Sequence, residues 1–326
     1  MKTAFLKNLL DPLAYLFWKT QISVLRTSPP VCGVVSKHSL GAANSPKVWA
    51  KTLLQLTVGM PRAFYDHHRN KQEGRVVLAR VTFLVTTRCT LNCDRCISYI
   101  PDLKSHRDAP LDELTQDIQN LLSSVDYIYA LILTGGEAFL YPDLDKIIRL
   151  CADSGKIGDI SVQSNGTIVP GTKVLAALKE AKVLVKISHY PSALQPDVEK
   201  VKRVLDENGI RYTHASGTFW NDAGAFGQRQ EGSEKRRFSV CIQQLCVPYF
   251  NGKLHLCATA AILMEEGRIP DSKDEYVDLR TVSPAAFYEQ WQELMKRRAL
   301  TACSYCLGMT YKTPRIPVAT QRVTRK

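Results

Sequence analysis

Short apolar runs alternate with amphipathic stretches along residues 81–215, and this alternation predicts most of the fold. The run Val81–Thr86 has the length and the β-branched content of a buried strand. Four further strands are predicted at 128–133, 159–163, 183–188 and 210–214. Helices are predicted between the strands, at 111–124, 142–154, 170–181 and 196–208. Alternation at this interval predicts parallel strands joined by right-handed crossovers.

The predicted fold class is α/β. Five strand–helix units, with a sixth that the pattern does not locate, predict a partial (β/α)6 TIM-like barrel rather than a closed one. The alternation of apolar runs and amphipathic stretches ends after residue 215. The run 247–256 predicts a β-hairpin that turns at Asn251-Gly252, and a helix is predicted at 285–298. We therefore expect a partial barrel followed by a small C-terminal domain made from a hairpin and a helix.

The N-terminal stretch is apolar, and its spacing predicts an amphipathic helix. Apolar residues recur every four positions at Phe5, Leu9, Leu13 and Phe17. The apolar run is too short to span a bilayer, and Asp11-Pro12 interrupts it with no cleavage site following, so a signal peptide is not expected. We expect the helix to pack against the rest of the chain. Contact with a membrane surface is the alternative, because basic residues flank the helix.

The positive charge is concentrated at the two ends of the chain. The formal net charge is +12, with 45% hydrophobic and 23% charged residues, as in an ordinary globular enzyme. Residues 1–80 hold 12 Lys/Arg against 3 Asp/Glu, and residues 312–326 hold five basic residues and no acid, so the remainder carries −2. No recognisable nucleic-acid-binding module accompanies the basic ends, so no nucleic-acid partner is predicted. We interpret the C-terminal run as a solvated tail, with attraction to an acidic partner as the alternative.

Three of the ten cysteines fall within the stretch Cys89-Thr-Leu-Asn-Cys93-Asp-Arg-Cys96, directly after the first strand. Three thiols this close cannot all pair with one another, and such clustering favours metal binding in a reducing compartment, hence a cytoplasmic protein. Three thiolates can ligate three irons of a cubane and leave the fourth iron open, as in a reactive metal site. The alternative is a zinc site completed by His106, although His106 lies outside the usual zinc spacings.

At this triplet the sequence resembles the radical S-adenosylmethionine (radical SAM) superfamily, whose signature is C-x3-C-x2-C. The resemblance implies a 4Fe-4S cluster whose open iron binds SAM. It also implies that reductive cleavage of SAM gives a 5′-deoxyadenosyl radical, which abstracts hydrogen from a substrate. The radical SAM core would then cover residues 81–215. Arg95 departs from the aromatic residue that the family usually has before the third cysteine.

Later strand ends carry motifs that suit SAM. Two glycines in Thr134-Gly-Gly-Glu137 allow close approach of the backbone to a ligand, and a carboxylate can hold an ammonium group. By resemblance, Gly135, Gly136 and Glu137 contact the amino group of SAM, although Ala138 replaces the usual proline.

Two further strand ends are candidates for the same site. By resemblance, Ser164 and Asn165 lie near the ribose of SAM; an ordinary Asn-Gly turn is the alternative. Ser188-His-Tyr190 ends the following strand and supplies a further candidate, Ser188. His189 is either an acid–base group or a packed histidine.

Five more cysteines follow the barrel, at Cys241, Cys246, Cys257, Cys303 and Cys306. Their spacing resembles the twitch domain, a shortened relative of the SPASM domain. The resemblance implies an auxiliary 4Fe-4S cluster ligated by Cys241, Cys257, Cys303 and Cys306. Cys246 is then the first ligand in place of Cys241, a hydrogen-atom donor or a core thiol. A structural zinc site with four cysteine ligands is the alternative for the whole group.

These features predict a radical SAM enzyme that acts on a peptide or a sugar-like small molecule by oxidation, epimerisation or cross-linking. An electron donor such as flavodoxin or ferredoxin is the implied partner. The alternative is a non-enzymatic binding module stabilised by zinc or an iron–sulfur cluster. The predicted organisation is a basic, mainly helical extension at 1–80, the radical SAM core at 81–215, a twitch/SPASM-like domain at 216–311 and a basic tail at 312–326.

Overall fold

An eight-stranded sheet organises the chain, in the order β5-β4-β3-β2-β1-β7-β8-β9. The computed structural model describes residues 65–214, 219–310 and 312–322, together with Tyr15, Lys19, Thr20, Ser23, Arg26 and Ala63. The strands of this sheet are β1 (Val77–Thr86), β2 (Tyr127–Gly135), β3 (Ile157–Ser164), β4 (Leu184–Ile187), β5 (Tyr212–His214), β7 (Val247–Phe250), β8 (Lys253–His255) and β9 (Tyr276–Asp278). All neighbours from β5 to β7 pair in parallel, whereas β8 and β9 pair antiparallel.

Helices connect the parallel strands, as the sequence pattern predicts. The α-helices with defined ends in the described part of the chain are α1 (Leu111–Ser124), α2 (Leu144–Asp153), α3 (Thr172–Glu180), α4 (Val198–Glu207), α5 (Glu234–Ser239), α6 (Ala258–Glu265) and α7 (Pro284–Met295). A further helical stretch at 65–72 precedes β1. The strands β1 to β5 follow one another across the sheet with one helix between each pair. The α/β class and the mostly parallel sheet are therefore confirmed.

The sixth parallel strand is β7, which the sequence analysis had assigned to the C-terminal hairpin. Val81 pairs with Val247 and Phe83 pairs with Tyr249, so β7 joins the free edge of β1. The rings of Phe83 and Tyr249 stack with their centroids 4.4 Å apart. The predicted hairpin is confirmed, because Phe250 pairs with Lys253 around the turn, but it continues the barrel sheet rather than standing apart from it.

Burial alternates along the parallel strands and separates a helix-facing side from an inner side. Leu131, Val162 and Val185 are buried in the same apolar cluster as Ile118 and Leu178 of the helices. Each fully buried side chain of this kind contributes about 1.5–3 kcal/mol to the stability of the fold. Their sequence neighbours point to the other side of the sheet. The strands are thus held by their outer faces, and their inner faces are available for polar residues.

The C-terminal run is not a solvated tail. Strand β10 (Arg315–Pro317) pairs antiparallel with β6 (Phe219–Asn221) in a separate two-stranded sheet. Residues 320–322 then form backbone hydrogen bonds with residues 92–94. The interpretation as a solvated tail rested on charge alone and is wrong for residues 312–322, because backbone pairing does not depend on the sign of the side chains.

Two described residues of the N-terminal extension contact the C-terminal part of the chain. Tyr15 Oη lies 3.1 Å from Ser239 Oγ, and Arg26 donates to the carbonyl oxygens of Met295 at 2.7 Å and Arg297 at 3.0 Å. The predicted apolar face, Phe5, Leu9, Leu13 and Phe17, lies outside the described residues, so the membrane alternative stays a prediction. Within the described part of the chain, no helix combines the length and the apolarity that crossing a bilayer needs.

Candidate functional site

A cavity of about 270 Å³ lies at the carboxyl ends of the parallel strands. Its wall includes eight residues that the sequence analysis selected: Cys89, Cys93, Cys96, Gly135, Gly136, Ser164, Asn165 and Ser188. The carboxyl ends of parallel strands meet at one rim, which is why four separate loops reach the same space. The structure therefore brings the predicted cysteine triplet and the predicted SAM-binding loops together.

The cysteine loop, defined as residues 87–96, follows β1 and is anchored at its start. Arg88 Nε donates to Asp108 Oδ1 at 3.0 Å, and the same guanidinium donates to the carbonyl oxygen of Leu140. Thr86 Oγ1 donates to Asp108 Oδ1 at 2.6 Å. These contacts hold the loop against the ends of β1 and β2, so the position of the first cysteine is fixed by the sheet.

Three amide N–H groups point at two of the cysteine sulfurs. Cys89 Sγ accepts from Leu91 N at 3.4 Å and from Asn165 Nδ2 at 3.6 Å. Cys93 Sγ accepts from Gln321 Nε2 at 3.1 Å. Amide donors of this kind orient thiolate ligands and tune the potential of an iron–sulfur cluster. Three clustered thiols, two of which accept from amide donors, fit a 4Fe-4S cluster with one open iron.

Burial raises the pKa of each thiol in the triplet. The pKa of Cys93 rises to about 11, and burial also raises the pKa of Cys89 and of Cys96. At neutral pH the free thiols are therefore protonated. Ligation of iron requires the thiolate, so metal binding at this loop releases protons.

Gly135 and Gly136 allow the cysteine loop to approach β2. A Cβ on Gly136 would lie 2.2 Å from the carbonyl oxygen of Arg88 and 2.7 Å from Cβ of Cys89. A Cβ on Gly135 would lie 2.2 Å from the carbonyl oxygen of Thr86. The sequence analysis attributed the glycines to close approach of a ligand. The structure adds a second reason, since any side chain here would push the two loops apart.

Glu137 is buried behind the cavity wall. One carboxylate oxygen accepts from Phe139 N at 3.0 Å and the other accepts from Asn165 N at 2.6 Å. Burial raises the pKa of Glu137 to about 7. Glu137 thus caps the short 3-10 helix Ala138–Leu140 and connects the end of β2 to the end of β3. Its predicted contact with the amino group of SAM stays a prediction.

Gln195 connects the ends of β3 and β4, and sequence reasoning missed it. This side chain is only 2% exposed. Its Nε2 donates to the carbonyl oxygens of Asn165 at 2.5 Å and Ser188 at 2.6 Å, while its Oε1 accepts from Tyr190 N at 2.9 Å. One glutamine therefore satisfies three backbone groups of two loops. A single glutamine in a loop carries no spacing signal that would reveal this role.

Aromatic side chains form one side of the cavity. Tyr190 and Trp220 both line it, with ring centroids 5.8 Å apart. Trp220 lies on β6 and was not selected from the sequence. His189 instead contacts His214, with Nδ1 of the first 3.2 Å from Nε2 of the second. His189 is not among the residues that line the cavity, so an acid–base role there gains no support.

The C-terminal strap, defined as residues 319–322, crosses the cysteine loop. Asp94 N donates to the carbonyl oxygen of Thr320 at 2.6 Å, and Arg322 N donates to that of Asn92 at 2.8 Å. Gln321 Oε1 accepts from Asn92 N at 2.8 Å. The strap thus adds a short antiparallel pairing to the loop that carries the cysteines. A contact between residues 228 positions apart cannot be read from local sequence spacing.

Four of the C-terminal cysteines surround a second, much smaller cavity of about 20 Å³. These are the predicted ligands Cys241, Cys257, Cys303 and Cys306. Arg237 shares the wall and donates to the carbonyl oxygens of Cys303, at 2.7 Å, and of Cys306. Burial raises the pKa of Cys241 to about 11 and of Cys303 to about 12. Four thiols are the donor set of a closed cluster, and the space would have to widen to hold one.

Cys246 belongs to the first cavity rather than the second. Its Sγ accepts from Arg80 Nη1 at 3.3 Å, and both residues line the cavity that contains the cysteine triplet. Cys241 lines the second cavity with the other three cysteines. Of the two candidates for the first auxiliary ligand, the geometry therefore groups Cys241, not Cys246, with the remaining three.

The zinc alternatives gain no support from the geometry. In the described part of the chain, no group of three or more His, Cys, Asp or Glu side chains converges on a point that would hold one metal ion. A mononuclear zinc site needs such convergence, because its Zn–S distances are about 2.3 Å. His106 Nδ1 lies 3.1 Å from the carbonyl oxygen of Thr87, so this ring is engaged with the backbone.

Comparisons with known proteins point to the same part of the chain. Residues 83–214 match the family described as the Radical SAM superfamily. The chain is 30% identical over 135 residues to GTP 3′,8-cyclase of Limosilactobacillus fermentum, which covers 39% of each protein. It is 28% identical over 109 residues to 7,8-dihydro-6-hydroxymethylpterin dimethyltransferase of Methanocaldococcus jannaschii, covering 33% of this chain and 21% of that one. The chain thus spans well under half the length of these curated relatives.

Three solved structures are similar to parts of the chain. Native anSMEcpe with bound AdoMet has a TM-score of 0.37 and 18% identity, covering 43% of this chain and 44% of that chain. BtrN in complex with AdoMet and 2-DOIA has a TM-score of 0.41 and 13% identity, covering 70% and 92%. Streptococcus suis SuiB bound to S-adenosylmethionine has a TM-score of 0.36 and 14% identity, covering 62% and 45%.

Proposed function

Since residues 83–214 of this chain form a radical SAM domain, we propose that the protein reductively cleaves SAM at a 4Fe-4S cluster held by Cys89, Cys93 and Cys96. Hydrogen is then abstracted from a peptide or a sugar-like small molecule, which leads to oxidation, epimerisation or cross-linking. The observation that carries the proposal is the single cavity that the triplet shares with the ends of β2, β3 and β4. When bound, the cluster and SAM supply the one-electron chemistry.

The chain's own residues would bind the reactants and exclude water. Ser164, Asn165 and Ser188 line the wall that faces the cysteine loop and offer hydroxyl and amide groups to SAM. Gly135 and Gly136 offer backbone groups in the same wall. Tyr190 and Trp220 cover one side of the cavity, which limits the access of water to a reactive intermediate. Glu137 and Gln195 act through other groups and are positioning residues.

The proposal includes an auxiliary 4Fe-4S cluster with Cys241, Cys257, Cys303 and Cys306 as ligands. The support is their shared cavity and the hydrogen bonds of Arg237 to the carbonyl oxygens of two of these cysteines. The Arg237 contacts fix the backbone of the Cys303–Cys306 turn, so the two thiols would be presented in a constant orientation. We propose oxidoreductase-type chemistry on the basis of this second site.

Partners and location follow from the same chemistry. Reduction of the cluster requires a one-electron donor, for which flavodoxin or ferredoxin is the proposed class. The names of the two curated relatives, a GTP cyclase and a pterin dimethyltransferase, favour a small-molecule substrate over a peptide. A site made of free thiols and iron requires a reducing compartment, so we propose the cytoplasm.

The test compares three cysteine variants of the anaerobically reconstituted protein. Cys93→Ala should abolish formation of 5′-deoxyadenosine from SAM with dithionite as reductant, because it removes one of three ligands. Cys303→Ala should retain this activity but lose roughly half of the iron, which for two cubanes is about eight per chain. Cys151→Ala is the matched control, since Cys151 is a fully buried thiol on α2 that lines neither cavity.

Persistence of SAM cleavage in Cys93→Ala would contradict the proposal. A colourless protein that carries zinc in place of iron would favour the binding-module alternative instead. Iron and zinc contents are therefore measured on the same samples as 5′-deoxyadenosine.

A further inference from the structure

The hydroxyl of Tyr99 is a buried donor without an acceptor. The residue is only 2% exposed, and its Oη makes no hydrogen bond within the described part of the chain. Leaving a buried hydroxyl unpaired destabilises a fold, and for this reason nearly all such groups are paired in native proteins. The hydroxyl of Tyr99 therefore points to an acceptor that the polypeptide itself does not supply.

The backbone of Tyr99 turns its side chain away from the first cavity. Tyr99 follows the cysteine loop, and its N–H donates to the carbonyl oxygen of Cys96 at 2.9 Å. Its φ is 48°, in the left-handed region that bulky residues rarely adopt. Ser98 and Ile100 line the cavity that contains the cysteine triplet, whereas Tyr99 between them does not. The ring thus lies behind the wall that its two neighbours form.

Helix α6 relates Tyr99 to the second cavity. Tyr99 belongs to a small buried apolar cluster that includes Ile262 of α6. Ile262 lies three residues after Thr259, so the two side chains share one face of the helix. Thr259 lines the second cavity together with Cys257 and Cys306. The helix face against which the Tyr99 ring packs therefore continues into the wall of the second cavity.

The electrostatic neighbours of the hydroxyl lie on the same side. Burial raises the pKa of Tyr99, and the nearby thiol of Cys306 raises it further. Thr259 lowers this pKa, although it does not lie at hydrogen-bond geometry from Tyr99 Oη, and Cys257 is a further neighbour that raises it. A free thiol is a weak acceptor, whereas sulfur bound to iron is a good one. The hydroxyl would thus find a good acceptor only when the second cavity holds a cluster.

We propose that the Tyr99 hydroxyl donates a hydrogen bond to a sulfur atom of the auxiliary cluster and thereby raises the reduction potential of that cluster. The inference rests on the proposed function, because it requires the auxiliary cluster. A donor to sulfur stabilises the more negative, reduced state. Since the backbone of Tyr99 is bonded to Cys96, this residue also connects the loop of the triplet to the auxiliary site.

The test measures the potential of the auxiliary cluster in Tyr99→Phe. Both proteins carry Cys93→Ala, so that the auxiliary cluster is observed alone, and the full-length chain is reconstituted anaerobically before spectroscopic redox titration. Loss of the donor should shift the reduction equilibrium about tenfold toward the oxidised cluster, which makes the potential about 59 mV more negative for one electron. Tyr288→Phe, at a tyrosine of α7 that is 38% exposed, should leave the potential unchanged.

A spectroscopic signature separates the hydrogen bond from a merely structural effect. The reduced auxiliary cluster is paramagnetic, so pulsed EPR detects protons that are hydrogen-bonded to its sulfurs and are lost in D2O. Tyr99→Phe should lack one exchangeable proton coupling that Tyr288→Phe retains. An unchanged potential in Tyr99→Phe, or an unchanged set of exchangeable couplings, overturns the inference.

Failure of this inference and failure of the proposed function give different results. With Cys93→Ala, about four irons per chain are expected for the one remaining cubane. An iron-free protein in that background overturns both the auxiliary cluster and the role of Tyr99. If the wild type forms no 5′-deoxyadenosine from SAM but Tyr99→Phe still shifts the auxiliary potential, SAM cleavage is wrong as the function and the inference stands.

Discussion

Gly136 determines how closely the cysteine loop can approach the end of β2. In Gly136→Ser the new Cβ would lie 2.2 Å from the carbonyl oxygen of Arg88. This clash is with the backbone, which cannot move aside as the end of a flexible side chain could. The loops would have to separate, which breaks the hydrogen bond from Gly136 N to Thr86 O at 3.0 Å. We expect the free energy of unfolding in urea to fall by about 2–3 kcal/mol. Iron bound after reconstitution should fall as well, because Cys89 moves with the loop.

Gly171→Ser is the matched control for this substitution. A Cβ on Gly171 would meet no atom within 4 Å, and its φ is −70°, so the new side chain is accommodated without strain. Gly171 is the N-cap of α3, a position that serine favours. Its stability and iron content should match the wild type. Equal losses in the two variants would show that the contact at Gly136 is not the cause.

Local spacing predicted some of the individual site residues and could not predict others. Cys89, Cys93 and Cys96 lie within one loop, so their spacing alone indicated a shared site. Gln195 and Trp220 reach the same region only because β4 and β6 bring them there. Their roles depend on tertiary contacts between residues that have no periodic relation in sequence, and no pattern along the chain identifies them.

The C-terminal strap, residues 319–322, contacts the cysteine triplet from a distant part of the chain. Its side-chain contact to the triplet is the donation from Gln321 Nε2 to Cys93 Sγ at 3.1 Å. An N–H donor to a cluster ligand stabilises the more negative, reduced state. We predict that Gln321→Leu makes the reduction potential of the SAM-binding cluster more negative by tens of millivolts. The potential is measured by spectroscopic redox titration of the reconstituted protein.

Two comparisons separate this electrostatic effect from loss of structure. Gln321→Leu also removes the acceptor for Asn92 N at 2.8 Å, so the free energy of unfolding is measured alongside the potential. Gln228→Leu changes the same residue type at an exposed position away from the triplet and should alter neither quantity. A potential that is the same in Gln321→Leu and the wild type would show that this hydrogen bond does not tune the cluster.

Helices and barrel strands were predicted closely, whereas the pairing of short elements was not. Helix α1 spans Leu111–Ser124, as its amphipathic period predicted. Strand β1 begins at Val77, four residues before the predicted start, because Val77–Arg80 gain strand partners in β2. Strand β7 is only four residues long and was predicted as part of a hairpin. Its parallel pairing with β1 depends on the path of the chain between the two strands, which the local pattern of apolar and polar residues does not reveal.

At the scale of the molecule, an ion pair with one buried partner joins α1 of the parallel-strand domain to the C-terminal part of the chain. Asp117 of α1 is 1% exposed and accepts from Tyr249 Oη of β7 at 2.6 Å. Arg280, which follows β9, donates to Asp117 through Nε at 3.1 Å and Nη2 at 2.9 Å. The hairpin strands β8 and β9 extend the barrel sheet beside this contact. The two parts of the chain should therefore unfold together.

Arg280 also binds a second carboxylate, Glu113, and the two acids differ chiefly in exposure. The Glu113 side chain is 50% exposed, against 1% for Asp117. Asp117→Ala leaves the buried Tyr249 hydroxyl without its acceptor and removes one of two carboxylates from Arg280, so the free energy of unfolding in urea should fall by about 1–3 kcal/mol. Glu113→Ala removes a screened surface pair and should cost less than about 1 kcal/mol. Since Asp117 links helix α1 to β7 and to the segment after β9, its loss should also broaden or divide the unfolding transition. Equal effects of the two substitutions would show that burial at Asp117 does not couple the barrel to the C-terminal strands.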